Sequence, residues 1–277
     1  MRTVFRLAPW LLMLLASAAV CAGDGTFDRQ VAAEPRGVVD ISNLSGTIDV
    51  KGWDRAEVSV HAELDSDLQR VEVSSEHGHT TIRVVPASHS HGGEVELRVQ
   101  VPKDSEVTVS AVSADVKSQG ILGVQRFNAV SGDVTAEIAG SDIEAKAVSG
   151  DVHLERAGGD IEAGTVNGSL IASLDGARSV RAHTTSGQLR FDGTLARGTT
   201  LEASSISGNL TVHAGADGGF AYEVSSFSGN ISDCFNTSPE RTSQYGPGSR
   251  LSGTRDEGAG HVRLKTMSGN VELCDRR

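Results

Sequence analysis

Between Asn128 and Leu154 the chain reads NAVSGDVTAEIAGSDIEAKAVSGDVHL, and one phrase occurs in it twice. Ala129-Val130-Ser131-Gly132-Asp133-Val134 returns 18 residues later as Ala147-Val148-Ser149-Gly150-Asp151-Val152. Each copy runs on into alternation, through Val134, Ala136 and Ile138 in the first and Val152 and Leu154 in the second. The intervening Asp142 to Ala147 alternates as well. Alternation of period two predicts a strand with one buried face. Ser-Gly-Asp between two such runs is turn chemistry: glycine takes a positive φ at little cost, and Ser or Asp bonds to nearby backbone. A unit of about 20 residues repeated at a near-constant interval predicts stacked coils.

The same phrase can be followed outward in both directions. Val112-Ser113-Ala114-Asp115-Val116 precedes it, and Asn167-Gly168-Ser169, Ser186-Gly187-Gln188, Ser207-Gly208-Asn209, Ser228-Gly229-Asn230 and Ser268-Gly269-Asn270 follow. The first turn residues fall at 113, 131, 149, 167, 186, 207, 228 and 268, in steps of 18, 18, 18, 19, 21, 21 and 40. The last step is nearly two periods, so either one coil has lost its motif or an insertion interrupts the series. Coils of this length have a contour of roughly 60–70 Å and enclose one layer of small side chains. Ala136, Ala145, Ala163, Ala172, Ala182 and Ala203, all in the inward phase, suit so narrow a core. The predicted fold is all-β: a single-stranded β-solenoid of short 18–21-residue coils over residues 111–277, preceded over 23–110 by a small antiparallel β capping region.

In that capping region Val38 to Ser42 and Thr47 to Val50 flank Asn43-Leu44-Ser45-Gly46 as a hairpin-like pair, and further strands are expected around 57–62, 71–74, 80–85 and 95–101. An exposed solenoid end is an edge that invites aggregation, so capping is its expected duty. Residues 235–259 break the pattern with Pro239, Tyr245 and Gly246-Pro247-Gly248, and are expected to form a loop inserted between coils.

Residues 1–22 have the form of a secretory signal: Arg2 and Arg6, an apolar run from Leu7 to Val20, then small residues before Gly23. Cys21 offers a lipid-anchor alternative, although Val20 is bulky where a lipobox needs a small residue. The expected mature chain is exported, to the periplasm or cell surface, without a transmembrane span. Loss of the two leader arginines takes the net charge from −11 to −13. An acidic chain is a poor nucleic-acid binder, because neutralising phosphates takes a basic face. Cys234 and Cys274 each lie six residues after the Ser of a turn, Ser228 and Ser268. Same-phase residues of neighbouring coils sit about 4.8 Å apart, and the exported location permits a disulfide between them.

The sequence offers three kinds of candidate chemistry. Asp115, Asp133 and Asp151 share one phase, and Asp142 and Asp160 another, as a calcium ladder requires. Their equivalents are Ser169, Gln188, Asn209, Asn230 and Asn270, so what is shared is a hydrogen-bonding side chain rather than a charge. The turn reading is preferred. His77, His79, His89 and His91 form two His-x-His pairs that are candidate zinc or copper ligands. They sit in polar, loop-like sequence without cysteine, which favours adventitious binding over a dedicated site. For catalysis, the many serines belong to repeated turns, and no nucleophile elbow or phosphate loop occurs. No catalytic residue and no cofactor is expected.

The Ser-Gly-Asp-Val, Ser-Gly-Asn-Leu and Asn-Gly-Ser-Leu repeats resemble those of the bacterial putative-adhesin domain family, a group of exported β-solenoids. So do Gly46-Thr-Ile-Asp-Val-Lys-Gly-Trp-Asp54 and Val95-Glu-Leu-Arg-Val-Gln-Val-Pro102. The likeness runs from about residue 35 to 275. The chain departs from the pattern in its long C-terminal loop, its cysteine pair and its histidines. The resemblance implies a non-enzymatic binding or scaffold protein of the cell envelope, whose partner is an envelope or surface glycan or protein. The alternatives are a periplasmic structural or envelope-stress protein without adhesive role and a carbohydrate-active β-solenoid enzyme. Only 4 % of residues are aromatic, which weakens sugar stacking.

Overall fold

The computed structural model describes residues 25–65, 70–86, 93–138, 142–242 and 247–275. The signal segment 1–22 with Cys21, the pair His89 and His91, and Tyr245 lie outside the described residues. Within them the secondary structure is β throughout, and no helix is long and apolar enough to cross a membrane.

The repeat builds a β-solenoid. Val134 pairs in parallel with Val152, Val152 with Leu170, Leu170 with Leu189 and Leu189 with Leu210. Each coil therefore lays its apolar residues on those of the next, and the inward rows fuse into one continuous core. Phe127, Leu154, Leu170, Leu189 and Phe191 are fully buried, and the inward alanines are 0–5 % exposed. Burying each of the larger side chains contributes roughly 1.5–3 kcal/mol.

Stacking order departs from chain order at both ends. The coils lie in the spatial order 79–102, 38–53, 106–121, 125–138, 143–155, 161–174, 179–195, 200–216, 260–274 and 220–233. Val38–Trp53 is thus sandwiched between the coil of His79–Val85 with Val95–Pro102 and the strand Glu106–Ile121, parallel to all three. In the same way Gly260–Ser268 lies between Leu189–Ser207 and Phe220–Ser228.

Two expectations are corrected by this order. Asn43 to Gly46 is not a hairpin but one more coil turn, because Val38–Trp53 finds its partners in other coils rather than in itself. The boundary at 110/111 falls inside a single strand, Glu106–Ile121. The antiparallel capping strands are fewer: Glu57–Leu64 on Val95–Pro102, Thr26–Ala32 on Glu57–Leu64, and Arg70–Glu76 on His79–Val85. At the far end, 235–259 is not simply a loop. Ser249–Thr254 runs antiparallel to Phe220–Ser228 and covers the last coil edge, with Glu240–Arg241 paired outside it. An uncovered parallel edge would expose a row of unpaired backbone groups.

Candidate binding surface

The repeated turns form ladders along one corner of the coils. The Asp115 carboxylate accepts a hydrogen bond from the Asp133 backbone N–H at 2.9 Å, Asp133 accepts from Asp151 at 2.8 Å, and Asp151 accepts from Ser169 at 2.7 Å. Asn209 and Asn270 do the same for Asn270 and Asn230 at 2.9 and 3.0 Å. The side-chain oxygen therefore satisfies a backbone donor one coil away, which amide and carboxylate do equally well. Asp142 and Asp160 carry their own counter-charge: Arg178 reaches Asp142 at 2.8 Å and Asp160 at 3.4 Å.

The expected positive φ holds at Gly132, Gly187, Gly229 and Gly269, at 152–155°, but Gly150 serves its turn for a different reason. Gly150 lies outside the positive-φ region, but a Cβ there would meet the Gly132 carbonyl oxygen at 2.1 Å. At this position close approach of two coils, not backbone handedness, requires the missing side chain.

Immediately before each turn stands an outward residue that is apolar in nearly every coil. Register places Leu44, Val112, Val130, Val148, Val166, Ile206, Met267 and Phe227 in one row, with Thr185 between Val166 and Ile206. The apolar members are 42–59 % exposed. At about 4.8 Å per coil the row is roughly 38 Å long. Scattered exposed apolar residues are normal, whereas a contiguous row marks an interaction surface. Composition and motif search missed it, although the signal was present: these residues sit in the outward phase, where alternation calls for a polar side chain.

Two depressions flank the row. Near its first end a groove of about 580 Å³ is lined by Leu44, Val84, Pro86, Val112, Val130 and Val148, with Arg83 and Lys146 at its margin. Lys146 is bonded to Glu144, which raises its pKa, and lies 3.4 Å from Glu162. Near the other end a depression of about 330 Å³ is lined by Arg181, His183, Glu202, Ser204, Arg263 and Lys265.

Other singled-out residues are dispersed. His79 bonds Asp40 at 2.7 Å, and His77 occupies a positive-φ turn position. Among the described residues the grouping with metal-ligand geometry is instead His213, Glu272 and Cys274. Cys274 is bonded to Cys234 in a disulfide with Cα atoms 4.9 Å apart, so its sulfur is not a thiolate there, and His213 lies within 3.3 Å of both Asp192 and Glu272.

Residues 39–274 match the family Toastrack DUF4097. The chain belongs to this family. Solved structures similar to this Toastrack chain include a putative adhesin from Bacteroides fragilis NCTC 9343, at 9 % identity and a TM-score of 0.50, covering 90 % of this chain and 97 % of that one. Two from Parabacteroides distasonis ATCC 8503 are a putative adhesin (10 % identity, TM-score 0.34, 91 % and 98 % covered) and a putative lipid binding protein (9 %, 0.30, 90 % and 97 %). At such identities the likeness concerns the fold alone. No curated protein matches the chain.

Proposed function

We propose that this Toastrack protein is a non-enzymatic, exported cell-envelope scaffold, adhesin-like in that it binds along its length rather than in a cleft. The observation that carries this reading is the exposed apolar row. It gives the solenoid a straight, regularly spaced contact edge suited to many weak contacts in register. The disulfide and the signal-like residues 1–22 support an oxidising, exported location. The serines of the turns sit in ladders with carboxylate or amide neighbours, not beside a base held by a third group, which supports the absence of nucleophilic catalysis.

Replacing Val130, Val148 and Val166 by Ser tests this. The expected result is little change in the unfolding midpoint, since these side chains are already half exposed, together with loss of the protein from the envelope fraction of source cells. Retention equal to that of the unaltered protein overturns the reading. Protease digestion of intact against permeabilised cells then assigns the scaffold to the surface or the periplasm.

A further inference from the structure

We propose that the end of the row formed by Ile206, Met267 and Phe227 docks on the surface of an anionic phospholipid bilayer. The proposal rests on the apolar row being a binding face and names its partner.

Ser205 and Ser226 both pair with Thr266, which places Met267 between Ile206 and Phe227 in consecutive coils. These three are the most exposed members of the row, at 51, 59 and 58 %, and include its only aromatic and its only methionine. The charge beside the row changes along its length. Three residues beyond the row, the first half carries Asp115, Asp133 and Asp151, but the coils of Ile206, Met267 and Phe227 carry Asn209, Asn270 and Asn230, all exposed and uncharged. The ladder bond is kept while the negative charge is absent.

On the other flank lies the basic depression. Glu202 is offset by Arg263 at 3.6 Å, and Glu223 by Arg250 at 2.6 Å and Arg263 at 3.3 Å. Arg181 and Lys265 have no ion-pair partner among the described residues, and both are exposed. Lys265 lies in register between Ser204 and Ser225, and Arg181 between Glu162 and Glu202 without an ion pair to either. In a chain of net charge −11, such exposed cations beside an acid-free apolar edge select an anionic partner. Lys265 and Met267 are two residues apart on one strand, about 6.6 Å. That offset matches a bilayer interface, with apolar side chains at the acyl boundary and cations at phosphate level.

The test is flotation of the chain from residue 23 on, which contains every described residue, with phosphatidylcholine vesicles with and without phosphatidylglycerol. The expected result is binding that requires phosphatidylglycerol and weakens with salt. Arg181→Gln and Lys265→Gln should each weaken it roughly five-fold, and the double variant Met267→Ser/Phe227→Ser at least about ten-fold. Should the double serine variant fold poorly, the two exposed Gln variants decide alone. Absence of binding, binding indifferent to phosphatidylglycerol, or binding untouched by the Gln variants overturns the proposal. So does a concentration-dependent dimer that Phe227→Ser abolishes, which would assign the edge to a second copy. If vesicle binding is absent while the Val130/Val148/Val166 serine variant still leaves the envelope fraction, the bilayer proposal falls alone. If envelope retention is also unchanged, the binding-face reading falls with it.

Discussion

Gly150 faces the carbonyl of Gly132 so closely that a Cβ on Gly150 would stand 2.1 Å from its oxygen. The pair lies in adjacent coils and recurs up the stack, with Gly168 over Gly150 and Gly187 over Gly168. Backbone cannot yield here as a flexible side chain would. Gly150→Ala is therefore expected to cost about 1–3 kcal/mol, measured by urea unfolding. Gly176→Ala provides the contrast. That residue has φ +67 with nothing near the added carbon, so its cost should be backbone strain alone, about 1 kcal/mol. A Gly150→Ala midpoint equal to wild type would refute the contact argument.

The Asp133 side chain accepts from the Asp151 N–H at 2.8 Å and needs no charge to do so. Asp133→Asn should leave stability within about 0.5 kcal/mol, and relieves repulsion from the stacked Asp115 and Asp151. Asp133→Ala, which removes the acceptor, should cost about 1 kcal/mol. Equal losses in both variants would show that charge, and hence a bridging cation, matters after all; chelator sensitivity of the unaltered protein would say the same.

The Cys234–Cys274 bridge closes a separation of 40 residues and joins the outermost coil, 220–233, to the C-terminal coil that slots in beneath it. Its removal by Cys234→Ser/Cys274→Ser should lower stability by about 4 kcal/mol through chain entropy. Hydrogen exchange should rise first in 220–254, where the cap strand Ser249–Thr254 depends on that coil. A loss of protection spread evenly over the solenoid would contradict this local role.

His61 gives a pH dependence with a definite sign. Its Nδ1 lies 2.6 Å from Asp28, and that hydrogen bond raises its pKa above 6.5 against a smaller lowering by burial and by Arg98. The folded state thus binds the proton more tightly than the unfolded chain. The stabilisation is present in full below the unfolded pKa, about 6.5, and is lost as pH rises through the folded value. The unfolding midpoint should fall across that window, and His61→Gln should remove that part of the decline. An NMR titration placing His61 at or below 6.5 would overturn the assignment.

Legibility from sequence followed locality. The paired phrase at 129–134 and 147–152 sufficed for strands, turns, inward alanines and coil stacking, because each is a property of neighbouring residues and their period. The phase of Cys234 and Cys274 within their coils pointed to the bridge for the same reason. Glycine at the turns was legible as a requirement, and its positive φ holds at Gly132, Gly187, Gly229 and Gly269, but the close approach was not legible, since the obstructing carbonyl belongs to another coil. The apolar row was less legible, because Val130 and Val148 each adjoin a Ser-Gly-Asp turn and only the register between coils brings their outward side chains into one line.

By itself, then, the sequence determined that this chain coils, what period the coils have and which face of each strand turns inward. Side-chain alternation and turn chemistry act over a few residues and leave little choice. Only the tertiary structure decided which coil lies on which. Any coil with the same inward phase is an acceptable parallel neighbour, so local pattern cannot say that Val38–Trp53 and Gly260–Ser268 slot in one place from the ends. That order brings Met267 between Ile206 and Phe227, and with it the edge proposed to meet the bilayer.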